Sequence, residues 1–173
     1  MKEGDMMCVM DLFSRGLSFE EFVNQDKDTY KEKTLEIYDG ITISEELIAE
    51  IRAIDSIIHV LVFAEIWCPD CMINVPVLQK MSETNPNFNI RIVSREGHEE
   101  YMDSYKVNGK PKIPTFVFMN EEFEELGAFI EQPQVVKVIE AKGKQVEIIV
   151  AKRKYRKGEY AIETIREILN IVQ

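Results

Sequence analysis

Long apolar runs, cysteines and cations are all scarce in this chain of 173 residues, and each scarcity excludes something. No segment approaches the ~20 consecutive apolar residues that a membrane-spanning helix needs. From Met1 to Leu17, Lys2 is followed by Glu3, Asp5, Asp11 and Arg15, which interrupt what would be the apolar stretch of a secretory signal. The reading that follows is a cytoplasmic protein, where three cysteines do not form a stabilising disulfide framework. Lys and Arg number 21 against 31 Asp and Glu, a formal net charge of −10. Such a surface repels nucleic-acid phosphates and anionic membranes, so neither is an expected partner. The one cluster of cations, Lys152-Arg153-Lys154-Tyr155-Arg156-Lys157, reads as a solvated helix end rather than a phosphate site. Metal is also disfavoured: a zinc site needs about four ligands, usually in two pairs. Here one Cys-x-x-Cys pair has only Cys8, His59 and His98 as distant helpers. Cys8, among Met6, Met7 and Met10, reads as a packed or partly exposed free thiol.

What is present suits one domain, residues 1–173, with 45% apolar and 30% charged side chains. Three stretches compose it. A helical extension covers 1–55, in which Ser18-Phe19-Glu20-Glu21 opens a short helix with a capping box. A second helix is predicted from Asp28 to Tyr38, with Tyr30, Thr34, Leu35 and Tyr38 along it. A third starts at Ser44, with Leu47, Ile48, Ile51 and Ile54 at helical spacing.

A core follows over 56–131. Ile57 to Ala64 is nearly all apolar and branched, as in a central strand buried on both faces. Pro69 to Met81 is predicted as a helix kinked at Pro76, Phe88 to Ser94 as a strand, and Glu99 to Tyr105 as a short helix. Asn108-Gly109-Lys110-Pro111 reads as a turn, and Thr115 to Met119 with Phe123 to Phe129 as a hairpin. The tail, 132–173, is predicted as two helices, one from Pro133 that Gly143 weakens and can split, and one over Glu159 to Ile171. These elements give an α/β/α sandwich around a mixed sheet.

Between the first strand and its helix stands Trp67-Cys68-Pro69-Asp70-Cys71. Two cysteines at this spacing can close a small disulfide ring and reopen it by exchange. A helix start stabilises a thiolate on the first of them, so the motif reads as a redox dithiol.

Together with Pro76, five residues after Cys71, Ile113-Pro114-Thr115 before a strand and Leu126-Gly127-Ala128, this motif resembles the thioredoxin family. The helical extension, Asn74-Val75-Pro76-Val77-Leu78 and the insertion Tyr105 to Gly109 are similar to a poorly characterised prokaryotic branch of it. The resemblance implies a thioredoxin-like three-layer fold and a cis peptide bond before Pro114. It implies an exposed nucleophile at Cys68 and a buried resolving thiol at Cys71. Trp67, Pro69, Asp70, Ile113 and Pro114 would then shape the substrate groove. The chain departs from the family at Val62, where thioredoxins place a buried aspartate. Glu65 is nearby, but strand alternation would point it to the opposite face.

Asp70 is expected to oppose a second negative charge and raise the Cys68 pKa relative to a neutral dipeptide, which favours a reductase-like couple. The expected function is a thiol–disulfide oxidoreductase, specifically a protein disulfide reductase, with disulfide-containing proteins as substrates and no cofactor of its own. Lacking a Gly-rich nucleotide loop, it would be re-reduced by a thioredoxin-reductase-type flavoenzyme. The alternative is a binding or adaptor protein on the same fold, its dithiol idle or sensory.

Overall fold

The computed structural model describes residues 3–173, with side chains from Cys8 onward; the expected neighbours of Cys8, Met6 and Met7, have side chains outside that description. Four helices precede the first strand: α1 (Glu3–Ser14), α2 (Phe19–Val23), α3 (Thr29–Gly40) and α4 (Glu45–Arg52). Their starts follow local chemistry. Ser18 Oγ accepts the Glu21 amide at 3.2 Å while the Glu21 carboxylate accepts the Ser18 amide at 2.8 Å, a complete capping box. Ser44 Oγ accepts the Leu47 amide and caps α4. On α3 the inward positions are Thr34 and Ile37, whereas Tyr30 is 44% exposed.

The core comprises β1 (Ile58–Phe63), α5 (Pro69–Thr84), β2 (Phe88–Val93), a 3₁₀ turn over Glu99–Tyr105 and a small hairpin, β3 (Lys106–Val107) with β4 (Lys110–Pro111). Asn108 and Gly109 join β3 to β4, both with positive φ, the backbone that a two-residue primed turn requires. Next come β5 (Thr115–Met119) and β6 (Glu125–Ile130). The main sheet has four strands in the order β2-β1-β5-β6. β1 pairs parallel with β2 and antiparallel with β5, and β5 pairs antiparallel with β6, so the sheet is mixed. Being internal, β1 and β5 are buried on both faces save for the half-buried His59, as their unbroken apolar runs require.

Each face of the sheet has its own helical layer. Phe118 lies opposite Gly127, and a Cβ on Gly127 would come 2.9 Å from the Ile171 side chain, so this face meets the C-terminal helix. On the other face, Leu61, Phe63, Val117 and Met119 meet Val9 of α1 and Tyr101 and Tyr105 of the 3₁₀ turn. Phe13 extends this packing, its ring 5.1 Å edge-on to His59 and 5.4 Å edge-on to Phe123. His59 thus packs inside an aromatic cluster, where desolvation lowers its pKa. Leu17 exchanges two backbone hydrogen bonds with Ile92 and protects the sheet edge at β2. Gly16 is needed there: a Cβ would lie 2.6 Å from that of Arg91.

The tail is three helices, not two: α6 (Gln134–Lys142), α7 (Gln145–Arg156) and α8 (Ala161–Val172). Gly143 ends α6, and a Cβ there would stand 2.6 Å from the Ile139 carbonyl oxygen, so the chain turns at the one residue without a side chain. Glu147 then accepts the Lys144 amide at 2.6 Å and starts α7.

Candidate functional site

Sheet geometry delivers the dithiol. β1 ends at Phe63, the Glu65 carbonyl accepts the Cys68 amide at 3.1 Å, and Cys68 becomes the N-cap of α5 with Pro69 as its first residue. A proline at that position loses no helical hydrogen bond and has its φ already set. Cys71, one turn on, is fully buried. Cys68, expected to be exposed, is also buried, at 6%. The peptide before Pro114 is cis, both Ile113 and Pro114 are buried, and the Ile113 carbonyl lies 3.7 Å from the Cys68 sulfur. The Pro114 carbonyl accepts the Glu131 amide at 2.7 Å. This segment therefore covers the nucleophile position instead of merely flanking it.

The two thiols are driven apart in acidity. A hydrogen bond from the Cys71 thiol lowers the Cys68 pKa, helped by the Cys71 and Asp70 amides at the helix start. Burial and the Asp70 carboxylate oppose this. Asp70 acts in the direction its charge requires, but the net shift of Cys68 is downward. Burial pushes the Cys71 thiol well up, and the negative character of Cys68 adds to it. All three cysteines are free thiols.

The other side of the first turn of α5 holds a polar network. Asp70 Oδ1 accepts the Tyr155 hydroxyl at 2.7 Å and the Gln132 amide at 3.3 Å. Tyr155 in turn accepts from Asn74 Nδ2 at 2.8 Å, and Nδ2 also lies 3.0 Å from the Glu131 carbonyl. The Asn74 Oδ1 accepts the Thr164 hydroxyl at 3.4 Å. Desolvation raises the Asp70 pKa, while the Tyr155 and Gln132 donors restrain it. Burial, followed by the Asp70 charge, keeps the Tyr155 phenol protonated and donating. Glu131 adopts a left-handed backbone at φ 66°, held on one side by Pro114 and on the other by Asn74.

Sequence reasoning missed Tyr155, Gln132, Asn74 and Thr164. Only a faint signal existed: Tyr155 stands four residues after Ala151, the two buried positions of α7, inside a run of cations. The cations around it are exposed.

Val62 is fully buried at the place the family gives to its acid. Glu65 lies beyond the end of β1, and its carboxylate accepts the Ser94 hydroxyl and the Arg95 amide. Of carboxylates, Asp70 is the one whose charge bears on both cysteines. Trp67 is 48% exposed, which excludes a core-packing role, and the Arg95 guanidinium stands 6.0 Å from its ring centre. Pro69 is exposed at the mouth of the site. Cys8 is exposed on α1, in the layer that also holds Tyr101. Among the described residues no three His, Cys, Asp or Glu converge to hold a metal ion, and no helix is long and apolar enough to cross a membrane.

A family model described as thioredoxin matches residues 16–146. Among solved structures the chain is similar to an HIV epitope-scaffold, 26% identical with a TM-score of 0.81, over 94% of this chain and 96% of that one. It is equally similar to a protein of unknown function from Pseudomonas aeruginosa, 26% identical with a TM-score of 0.82, over 94% and 95% of the two chains. No curated protein matches.

Proposed function

The chain belongs to the thioredoxin family, and from that premise we propose that it is a thiol–disulfide oxidoreductase working as a protein disulfide reductase. The observation that carries this reading is the placement of Cys68 as the N-cap of α5, with Cys71 buried one turn on and the carbonyl of the cis Ile113–Pro114 segment 3.7 Å from the Cys68 sulfur. The shifts of Cys68 downward and Cys71 upward accord with it. Exchange needs an attacking thiolate and a neighbouring thiol held in reserve.

In this reading the Cys68 thiolate attacks a substrate disulfide, forming a mixed disulfide and releasing one substrate thiolate, which takes up a proton. Cys71 then loses its proton and attacks the Cys68 sulfur. The second substrate thiol leaves, and a Cys68–Cys71 disulfide remains. The substrate gains two electrons and the protein loses two. A reductant of the dithiol or thioredoxin-reductase-type flavoenzyme class must restore the pair. Trp67 and Pro69 form the exposed lip that a protein substrate meets, and Ile113 and Pro114 close over Cys68, so substrate entry requires that segment to yield. With Val62 unable to take a proton, Asp70 replaces the family's strand acid as the charge that senses both sulfurs.

The competing reading, a binding protein with an idle dithiol, is favoured by one observation: Val138, Val146, Ile149 and Val150 of α6 and α7 are 46–71% exposed. Reduction of a disulfide peptide by the reduced protein separates the two. Cys68→Ser should lower the rate by about 10³-fold or more, since the attacking group itself is removed. Cys71→Ser should accumulate a mixed disulfide on Cys68. Turnover that survives Cys68→Ser, or adducts that form on Cys8 instead, would refute the assignment.

A further inference from the structure

Beside the dithiol, two adjoining grooves of about 320 and 420 Å³ share Lys152 and Arg156 as a common wall. The first is lined by Pro69 and Asp70, the residues between the two cysteines, and the second by Arg153, Lys157 and Lys33 of α3. We propose that this pair of neighbouring grooves, with the cations that divide and flank them, receives an acidic segment of the disulfide-bearing protein that the dithiol reduces. The inference rests on the redox reading and adds to it the class of substrate.

In a chain of net charge −10, five exposed cations gather within six residues, Lys152 to Lys157. Among the described residues none of the five forms an ion pair, although acidic side chains outnumber basic ones. The dipole of α7 favours cations in its last turn and accounts in part for Arg153, Lys154 and Arg156. It does not account for Lys33, which α3 brings to the same groove and which pairs with Glu36 at 3.4 Å. The cations line a length of groove instead of converging on one point, which suits an extended chain with several carboxylates better than a single compact anion. Of the two acids in the first groove, Asp70 is turned toward Tyr155 and Gln132, leaving Glu140 on one wall. Because Tyr155 ties α7 to Asp70, the groove is held in fixed relation to the first turn of α5. A partner whose disulfide reaches Cys68 would therefore find the cations in one place.

The test uses labelled peptides with one central disulfide flanked by Asp and Glu, by neutral residues, or by Lys. Binding is followed by fluorescence anisotropy on the full chain carrying both Cys68→Ser and Cys71→Ser, so that no exchange intervenes. The acidic peptide should bind about tenfold more tightly than the basic one at low ionic strength. That preference should largely vanish between about 20 mM and 200 mM salt, as the screening length shortens. Lys152→Glu with Arg156→Glu should invert it, and Lys152→Gln with Arg156→Gln should level it. Arg156→Glu alone should weaken it severalfold more than Lys27→Glu, a reversal in the exposed loop before α3. Equal binding of the peptides, equal effects of the two single reversals, or tighter binding of an oligothymidylate of the same charge would overturn the proposal. Reduction of the neutral peptide by the native chain tests the chemistry separately. Turnover without charge preference removes the groove alone; preference without turnover of any peptide removes the redox reading.

Discussion

Both ends of the chain are helical and both lie on the same sheet, yet they stand in different relations to the dithiol. The N-terminal end covers one face with apolar side chains: Leu12 and Phe13 of α1 are buried, and Phe13 packs on His59 and Phe123. The C-terminal end covers the opposite face through α8 and sends α7 to the first turn of α5. There Tyr155 donates to Asp70, two residues from Cys68. Both ends supply core packing, since Ile165, Ile168 and Leu169 of α8 are buried as well, but the C-terminal end alone adds polar contacts to the first turn of α5, although composition marks both simply as amphipathic helices. What separates them is which of their few polar side chains are buried. A hydrogen-bonded polar group in a dry environment has electrostatic reach that an apolar one lacks.

Substitutions can break that division of labour. The largest stability change should come from the N-terminal end. Phe13→Ala should cost about 3 kcal/mol through the cavity left between α1 and the sheet, measured by chemical denaturation. It should leave the pH midpoint for Cys68 alkylation in place; a clear shift of that midpoint would show the two ends to be coupled.

Asp70→Asn acts in the other direction. The native Asp70 pKa is raised by desolvation. The folded chain therefore binds a proton that the unfolded chain has already released in the window just above pH ~4. Stability from this group is fully present below the unfolded pKa and lost as pH rises through the folded one. The variant should accordingly gain stability relative to the native chain as pH rises through that window. It should also move Cys68 alkylation to lower pH, because the opposing charge is gone. A stability difference that is flat with pH would show Asp70 to be an ordinary surface acid.

Tyr155→Phe is the smallest and sharpest change. Removing one donor to a buried carboxylate should cost about 2 kcal/mol. It should also raise the Asp70 titration midpoint further, visible in the pH dependence of Cys68 reactivity. Phe13→Ala should therefore move stability but not the thiol, and Tyr155→Phe the thiol more than stability. The reverse pattern would dissolve the comparison.

Much of the fold was legible because its signals are local. The Ser18 and Ser44 caps, the buried run of β1, the turn at Asn108-Gly109 and the proline at the start of α5 each depend on residues within a few positions of one another. Where the reading fell short, distant residues decided. The exposure expected of Cys68 was cancelled by Ile113 and Pro114, some 45 residues away. Asp70 raises the Cys68 pKa as its charge requires, while the net downward shift comes from the Cys71 hydrogen bond and the helix-start amides outweighing burial and Asp70 together, a balance that spacing alone does not fix.

The sequence by itself determined the order of elements, the helix-start dithiol and the excess of negative charge, because periodicity, capping and composition act over short ranges. Only the tertiary structure decided that Asp70 faces Tyr155, that Ile113 and Pro114 close over Cys68, and that α1 is a layer of the core. Each of these is a contact between segments far apart in the chain. Such contacts are selected by which packing buries the most apolar surface while leaving no buried side-chain polar atom unpaired, a condition this chain meets among its described residues.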